Sequence, residues 1–220
     1  MKRYLDPIDL GSIPLFQGLT ATEHDKIAAL FSKLTYQRSQ SIVSYGEPAG
    51  DFYLIKQGVV RVYRLNDSGG EIVLALLGSG DCFGEMGLFT DSHRTAWVEA
   101  VTDVTLYRMR KTDFRNLLVA TPELCWQMLG ILSRRLAKMD EQMENLACLN
   151  VEERLLKALR MLAQDLGRRE GENWVLPSKL THQLLGEMIG TSRETITRTL
   201  GRLAKKGVVE KDHNQLLLFE

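Results

Sequence analysis

Between Leu129 and Leu146 apolar residues return at alternating spacings of three and four: Leu129, Leu132, Leu136, Met139, Met143 and Leu146. This is the heptad rhythm of a coiled-coil seam, and it predicts one long helix over about residues 121–149. Pro122 stands where a first-turn proline is tolerated, and Thr121 before it can cap the helix. No further proline and, after Gly130, no glycine interrupts the run. A stripe this long needs an apolar partner along its whole face. Either the chain's own body covers it, or the same helix of a second copy does.

With 220 residues, the chain has room for one large domain or two modest ones. Cys82, Cys125 and Cys148 are odd in number and widely spaced, which argues against a disulfide framework and against a zinc or iron–sulfur site. The four histidines show no ligand spacing, so no metal is expected. No nucleophile–base pair or phosphate-binding loop appears, and the expectation is that the chain is not an enzyme. Nothing at the N-terminus resembles a signal peptide and no apolar run reaches the roughly 20 residues of a membrane span, so a cytoplasmic protein is expected.

The hydrophobic period changes along the chain. Thr20 is a plausible cap for a helix carrying Ile27, Leu30, Phe31 and Leu34 on one side. From about Tyr36 to Met109, short β-rich runs (41–45, 52–56, 59–65, 72–77, 97–100 and 104–109) alternate with glycine-bearing turns. Many short strands of this kind predict a compact antiparallel β barrel or roll. Helix returns at about 111–119 and continues in the long helix. Asn150 with Glu153 three residues on reads as a capping box opening another helix, whose stripe is Leu155, Leu159, Leu162 and Leu166. Residues 167–173 read as a loop. The boundaries expected are 1–120 for the β-roll domain, 121–149 for the central helix and 150–220 for the C-terminal domain.

The C-terminal part carries a charge signal. Between Ser178 and Lys206, Lys179, Arg193, Arg198, Arg202, Lys205 and Lys206 face only Glu187 and Glu194, in a chain of zero formal net charge. Thr181 opens a short helix with Leu184, Leu185, Met188 and Ile189 inward, and Gly190 ends it. Thr191 begins a second helix with Ile196, Leu200 and Leu203 buried, and Thr191–Glu194 fits the capping-box spacing. Two short helices about a glycine turn, the second basic, form a helix-turn-helix. Val208–Val209 and Leu216–Phe219, bracketing His213–Asn214, add a β-hairpin wing. Ser192, Arg193, Glu194, Thr197 and Arg198 are the candidate base readers: arginine can bind guanine with two bonds, and glutamate can accept from cytosine N4. Lys179, Thr181, Thr191, Lys205 and Lys206 suit phosphates. Glu194 has a second reading, as a cap of its own helix. A helix-turn-helix reads a pseudo-palindrome in double-stranded DNA as a dimer, so the seam is expected to meet a second copy.

Five stretches, in order, resemble the CRP/FNR family of transcription regulators across essentially the whole chain: 46–58, 83–89, Arg94–Ala96, 145–149 and Ser192–Arg198. The resemblance implies an α+β protein with a cyclic-nucleotide-binding, jelly-roll-like β roll, a long dimerisation helix and a winged helix-turn-helix. It implies that Glu85 accepts from a ribose 2′-hydroxyl. Arg94 would clamp a cyclic phosphate with Thr95 and the backbone amides of Gly84, Glu85, Met86 and Gly87. Independently, phosphate favours a guanidinium fork and unpaired N–H groups at a helix start. The alternative is an Arg94–Glu85 ion pair in a site that binds nothing. The family also implies RNA polymerase as a partner.

One departure matters. In the family's cyclic AMP-binding members, adjacent threonine and serine on the central helix contact adenine; here Met139 and Asp140 stand there. Met139 falls on the apolar seam. Asp140 can accept from adenine's amino group, but can accept two bonds from guanine. Cyclic AMP is the first expectation; the alternatives are a cyclic GMP-responsive or ligand-independent regulator of the same family and, in a different class, a cyclic-nucleotide-binding regulatory subunit. The expected mechanism is allosteric: the ligand favours one packing of the helix pair and so fixes two helix-turn-helix domains roughly 34 Å apart.

Overall fold

The computed structural model describes residues 10–67, 69–90, 93–177, 180–212 and 215–219. They form two compact units, one running through Val62 and resuming over Leu76–Lys138, the other comprising Tyr63–Ala75 and the residues from Met139 onward.

The first unit opens with two short 3-10 turns, Leu10–Ser12 and Pro14–Phe16, and helix α1, Ala21–Ala28. Thr20 and Glu23 form a complete capping box at its start. The strands follow in chain order, β4 and β5 running into and out of the segment Tyr63–Ala75 that is grouped with the other unit: β1 (Ser32–Tyr36), β2 (Ser41–Val43), β3 (Asp51–Gln57), β4 (Val60–Leu65), β5 (Glu71–Leu77) and β6 (Cys82–Phe83). The short helix α2 (Glu85–Phe89) then precedes β7 (Trp97–Ala100) and β8 (Val104–Arg110). Two four-stranded sheets, ordered β1-β8-β3-β6 and β2-β7-β4-β5, make the β roll. Helices α3 (Lys111–Ala120) and α4 (Pro122–Cys148) come next.

Successive side chains of a strand point to opposite faces, and β3 is buried on both. Phe52 and Leu54 join Tyr107, Met109, Phe114, Leu124 and Met128 in a core shared with the helices. Tyr53 and Ile55 face Val60, Phe83, Val98 and Leu106 inside the roll. The rings of Phe52 and Phe114 stack at 4.2 Å, fixing α3 against the sheet.

Helix α4 carries two apolar stripes. Leu124 and Met128 are buried in the first unit's core, with Ile131 and Leu132 half-buried against it. The other stripe is uncovered by the described residues: Leu129, Leu136, Met139, Met143 and Leu146 are 56–65% exposed. Leu132, expected on that seam, is drawn toward its own core.

In the second unit, Asn150 and Glu153 close their capping box and launch α5, Val151–Leu166. Strands β9 (Arg168–Glu170) and β10 (Asn173–Val175) precede helices α6 (His182–Ile189) and α7 (Arg193–Lys205), and β11 (Val209–Asp212) and β12 (Gln215–Leu218) close the chain. These four strands form one antiparallel sheet, β11-β12-β10-β9.

Three local expectations are corrected. Helix α1 ends at Ala28, so Leu34 belongs to β1, which pairs along its length with β8; this distant strand outweighs the local helical spacing. The segment 167–173 is not simply a loop, because β9 pairs with β10 around Gly171 at φ +63°. Its polarity reflects an edge strand exposed at all three residues. The second reading-domain helix is capped by Ser192, which accepts from Thr195 N at 3.2 Å, not by Thr191. Lys179 and the His213–Asn214 tip lie outside the described residues.

Candidate ligand cassette and DNA-reading helix

Gly84 sits between β6 and α2 with φ +89°, a left-handed conformation suited to glycine. Space requires glycine as well: a Cβ there would lie 2.7 Å from Arg94 Nη1 and 2.9 Å from the Asp51 carbonyl. Across this turn lies Arg94, only 7% exposed. Its backbone is fixed by Arg94 N donating to Glu47 O at 2.7 Å and Gly46 N donating to Arg94 O at 3.0 Å. Its guanidinium donates to Gly84 O at 3.0 Å and Asp51 O at 2.8 Å, and lies 5.6 Å from the Tyr53 ring centroid. No carboxylate pairs with it among the described residues.

Glu85, 2% exposed, engages Arg135 instead of Arg94: Arg135 Nη1 donates to its Oε1 at 2.6 Å. The alternative of an Arg94–Glu85 pair therefore does not describe this cassette. Arg135 also donates to the Cys82 carbonyl. Burial opposes the charge on Arg135, but Glu85, with Cys82 and Asp81, more than offsets it and raises the guanidinium's pKa. Burial pushes the Cys82 thiol up to about 12 despite the opposing pull of Arg135, so it stays protonated. Met86 and Thr95 are exposed, and Gly87 is buried within α2.

Arg135 is absent from the residues expected from sequence. A signal was available: it continues the core-facing row Leu124, Met128, Ile131/Leu132 at helical spacing. A charge ending an apolar row calls for a buried partner. Met139 and Asp140 are both exposed on α4.

In the second unit Thr181 caps α6 by accepting from Leu184 N at 3.1 Å, and Gly190 ends that helix at φ +70°. Gly186 permits the close approach of the turn, since a Cβ would stand 2.6 Å from Thr191 O. Helix α7 buries Ile196, Thr199, Leu200 and Leu203 and exposes Ser192, Arg193, Glu194, Thr197 and Arg198. The Glu194 carboxylate is held below its ordinary range by its own backbone N–H and the Ser192 hydroxyl, with Arg193 and Arg198 adding to this. Lys206 and Arg202 both pair with Glu152 at the start of α5, at 2.5 and 3.5 Å, whereas Lys205 is exposed. Among the described residues no His, Cys, Asp and Glu cluster could hold a metal, and no helix is long and apolar enough to cross a membrane.

Residues 33–121 match the cyclic nucleotide-binding domain family and residues 153–219 the Crp-like helix-turn-helix domain family. The chain is 30% identical over 209 residues to the CRP-like cAMP-activated global transcriptional regulator of Mycobacterium tuberculosis, covering 94% of this chain and 92% of that one. It is 34% identical over 197 residues to the cyclic AMP receptor protein of Thermus thermophilus, covering 89% and 88%. The crystal structure of a CRP/FNR-family transcriptional regulator from Thermus thermophilus superposes with a TM-score of 0.70 at 28% identity, over 86% and 94% of the two chains. With a cyclic nucleotide-binding roll, a long helix and a Crp-like helix-turn-helix in one chain, this protein belongs to the CRP/FNR family of DNA-binding transcription regulators.

Proposed function

We propose that the protein is a homodimeric, sequence-specific DNA-binding regulator whose affinity for a pseudo-palindromic site is set by cyclic AMP bound in the β roll. The observation that carries this reading is Arg94: a buried guanidinium, oriented by two backbone carbonyls and unpaired with any carboxylate among the described residues. Buried charges require a counter-charge, and a cyclic phosphate supplies one. The amides of Gly84, Glu85, Met86 and Gly87, with Thr95, complete the phosphate seat. Glu85 gives Oε1 to Arg135 and retains Oε2 for a ribose hydroxyl.

The uncovered stripe on α4 is assigned to a second copy, with Leu129, Leu136, Met139, Met143 and Leu146 at its centre and Leu132 at its margin. Each such side chain contributes ~1.5–3 kcal/mol when fully buried. On α7, Arg193 and Arg198 read bases, with Ser192 and Thr197 beside them. Glu194, exposed between them, can accept from cytosine N4. Thr181, Thr191, Lys179 and Lys205 meet phosphates. RNA polymerase is the proposed protein partner, and the setting is cytoplasmic. Two mycobacterial and thermophilic relatives described as cAMP-activated or as a cyclic AMP receptor support the choice of ligand. Asp140 favours a second reading, cyclic GMP, because its carboxylate can accept both N1–H and N2–H₂ of guanine.

Calorimetric titration with each nucleotide tests both readings. Arg94→Ala should abolish binding while leaving a folded dimer, and unchanged affinity would remove the phosphate seat from the model of function. Asp140→Ser should shift preference from cyclic GMP toward cyclic AMP if the carboxylate reads the base; an unaltered ratio would retire the second reading.

A further inference from the structure

The first residue of α6 touches the reading face of α7. Thr197 Oγ1 donates to the Arg193 carbonyl at 2.9 Å and lies 2.8 Å from His182 Nδ1. A threonine hydroxyl has one proton, and a carbonyl can only accept. Both contacts are hydrogen bonds at once only if the hydroxyl donates to Arg193 O and accepts from the imidazole, and the ring is assigned on that basis. Nδ1 therefore carries the ring hydrogen, and Nε2 of the neutral ring presents a lone pair. Nε2 has no partner among the described residues, and the ring is half-buried beside the exposed residues Arg193 and Thr197.

We propose that His182 is a specificity-determining DNA contact whose Nε2 accepts a hydrogen bond from a base amino group in the major groove, adenine N6 or cytosine N4. The inference rests on α7 being the DNA-reading helix. Only adenine and cytosine offer an amino donor on that edge, so a fixed acceptor discriminates against guanine and thymine. It complements Arg193 and Arg198, which offer donors alone. The charged groups acting on the ring are Lys211 on β11 and Arg193 on α7. Partial burial first, then these two cations, hold the imidazole below its ordinary pKa, which keeps the acceptor available at neutral pH.

The test uses the full-length nucleotide-saturated dimer. A preferred duplex is selected from a randomised library, and every single base-pair change is then measured against wild type and His182→Ala. The expected result is a loss of discrimination on the order of tenfold at one base pair per half-site, where the contacted strand carries A or C, with other positions unchanged. In wild type, discrimination at that pair should weaken as pH falls from about 8 to about 5.5, because protonation turns the acceptor into a donor. This arm needs no variant and so stands even if His182→Ala does not fold. A uniform loss over all sequences with a shallower salt slope would make His182 a phosphate contact and overturn the proposal, as would unchanged discrimination. If wild type selects no sequence at all, the DNA-reading assignment itself fails. Selection that survives His182→Ala unaltered overturns only this inference.

Discussion

Arg94 in the β roll and Arg193 and Arg198 on α7 are the same side chain in opposite settings. Arg94 is buried, both terminal guanidinium nitrogens resting on backbone carbonyls, so its conformation is fixed without a ligand. Arg193 and Arg198 stand in solvent, and Arg198 is steadied by a 3.3 Å bond to Thr195 Oγ1. A small anion offers few contacts, so its site gains from having the orientation settled in advance. A DNA groove is long and variable, and an exposed arginine can adapt to it, with the ordering cost falling on binding. In the proposed function the buried cation is a built seat, and the exposed ones are probes.

The sharpest way to break this contrast is Gly84→Ala. The new Cβ meets Arg94 and the Asp51 carbonyl at under 3 Å in a left-handed backbone. Strain of ~1–3 kcal/mol is expected, with loss of nucleotide binding, read as a lowered melting temperature and a flat titration. An unperturbed titration would show that the seat is not rigid. Next in size, Arg193→Ala or Arg198→Ala should cost ~1–3 kcal/mol on the selected duplex and relax specificity at one position each, with nucleotide affinity unchanged. A uniform loss on every duplex would make them phosphate contacts. The smallest effect is expected of Glu152→Gln, which releases Lys206 and Arg202 from their surface ion pairs. The slope of log affinity against log salt should steepen by about 1 for each freed cation that meets a phosphate, and an unchanged slope would place these cations away from the DNA backbone.

How much of this was legible in the sequence divides along similar lines. The long helix, the Asn150–Glu153 box and the two reading helices rest on signals within a few residues, and local chemistry forms them. Strand β1 was hidden because its partner is more than 70 residues away in β8, and β9 because a polar edge strand resembles a loop. In the cassette, the residue types at 84, 85 and 94 stood out. The pairing of Glu85 with Arg135 did not, since it joins residues 50 apart and the stronger periodic signal of that helix is its heptad seam.

Strand β3 has one more consequence. Its first residue supplies the carbonyl beneath Arg94, and its next four side chains alternate between two separate cores. A slip of one residue would exchange Phe52 and Leu54 for Tyr53 and Ile55 on both faces at once. Such a strand has no neighbouring position to move to, so it behaves as an anvil. If the proposed ligand does occupy this seat, its arrival would be registered by whatever rests against that strand: the short α2 turn, the Arg135 side chain and the helix that carries it.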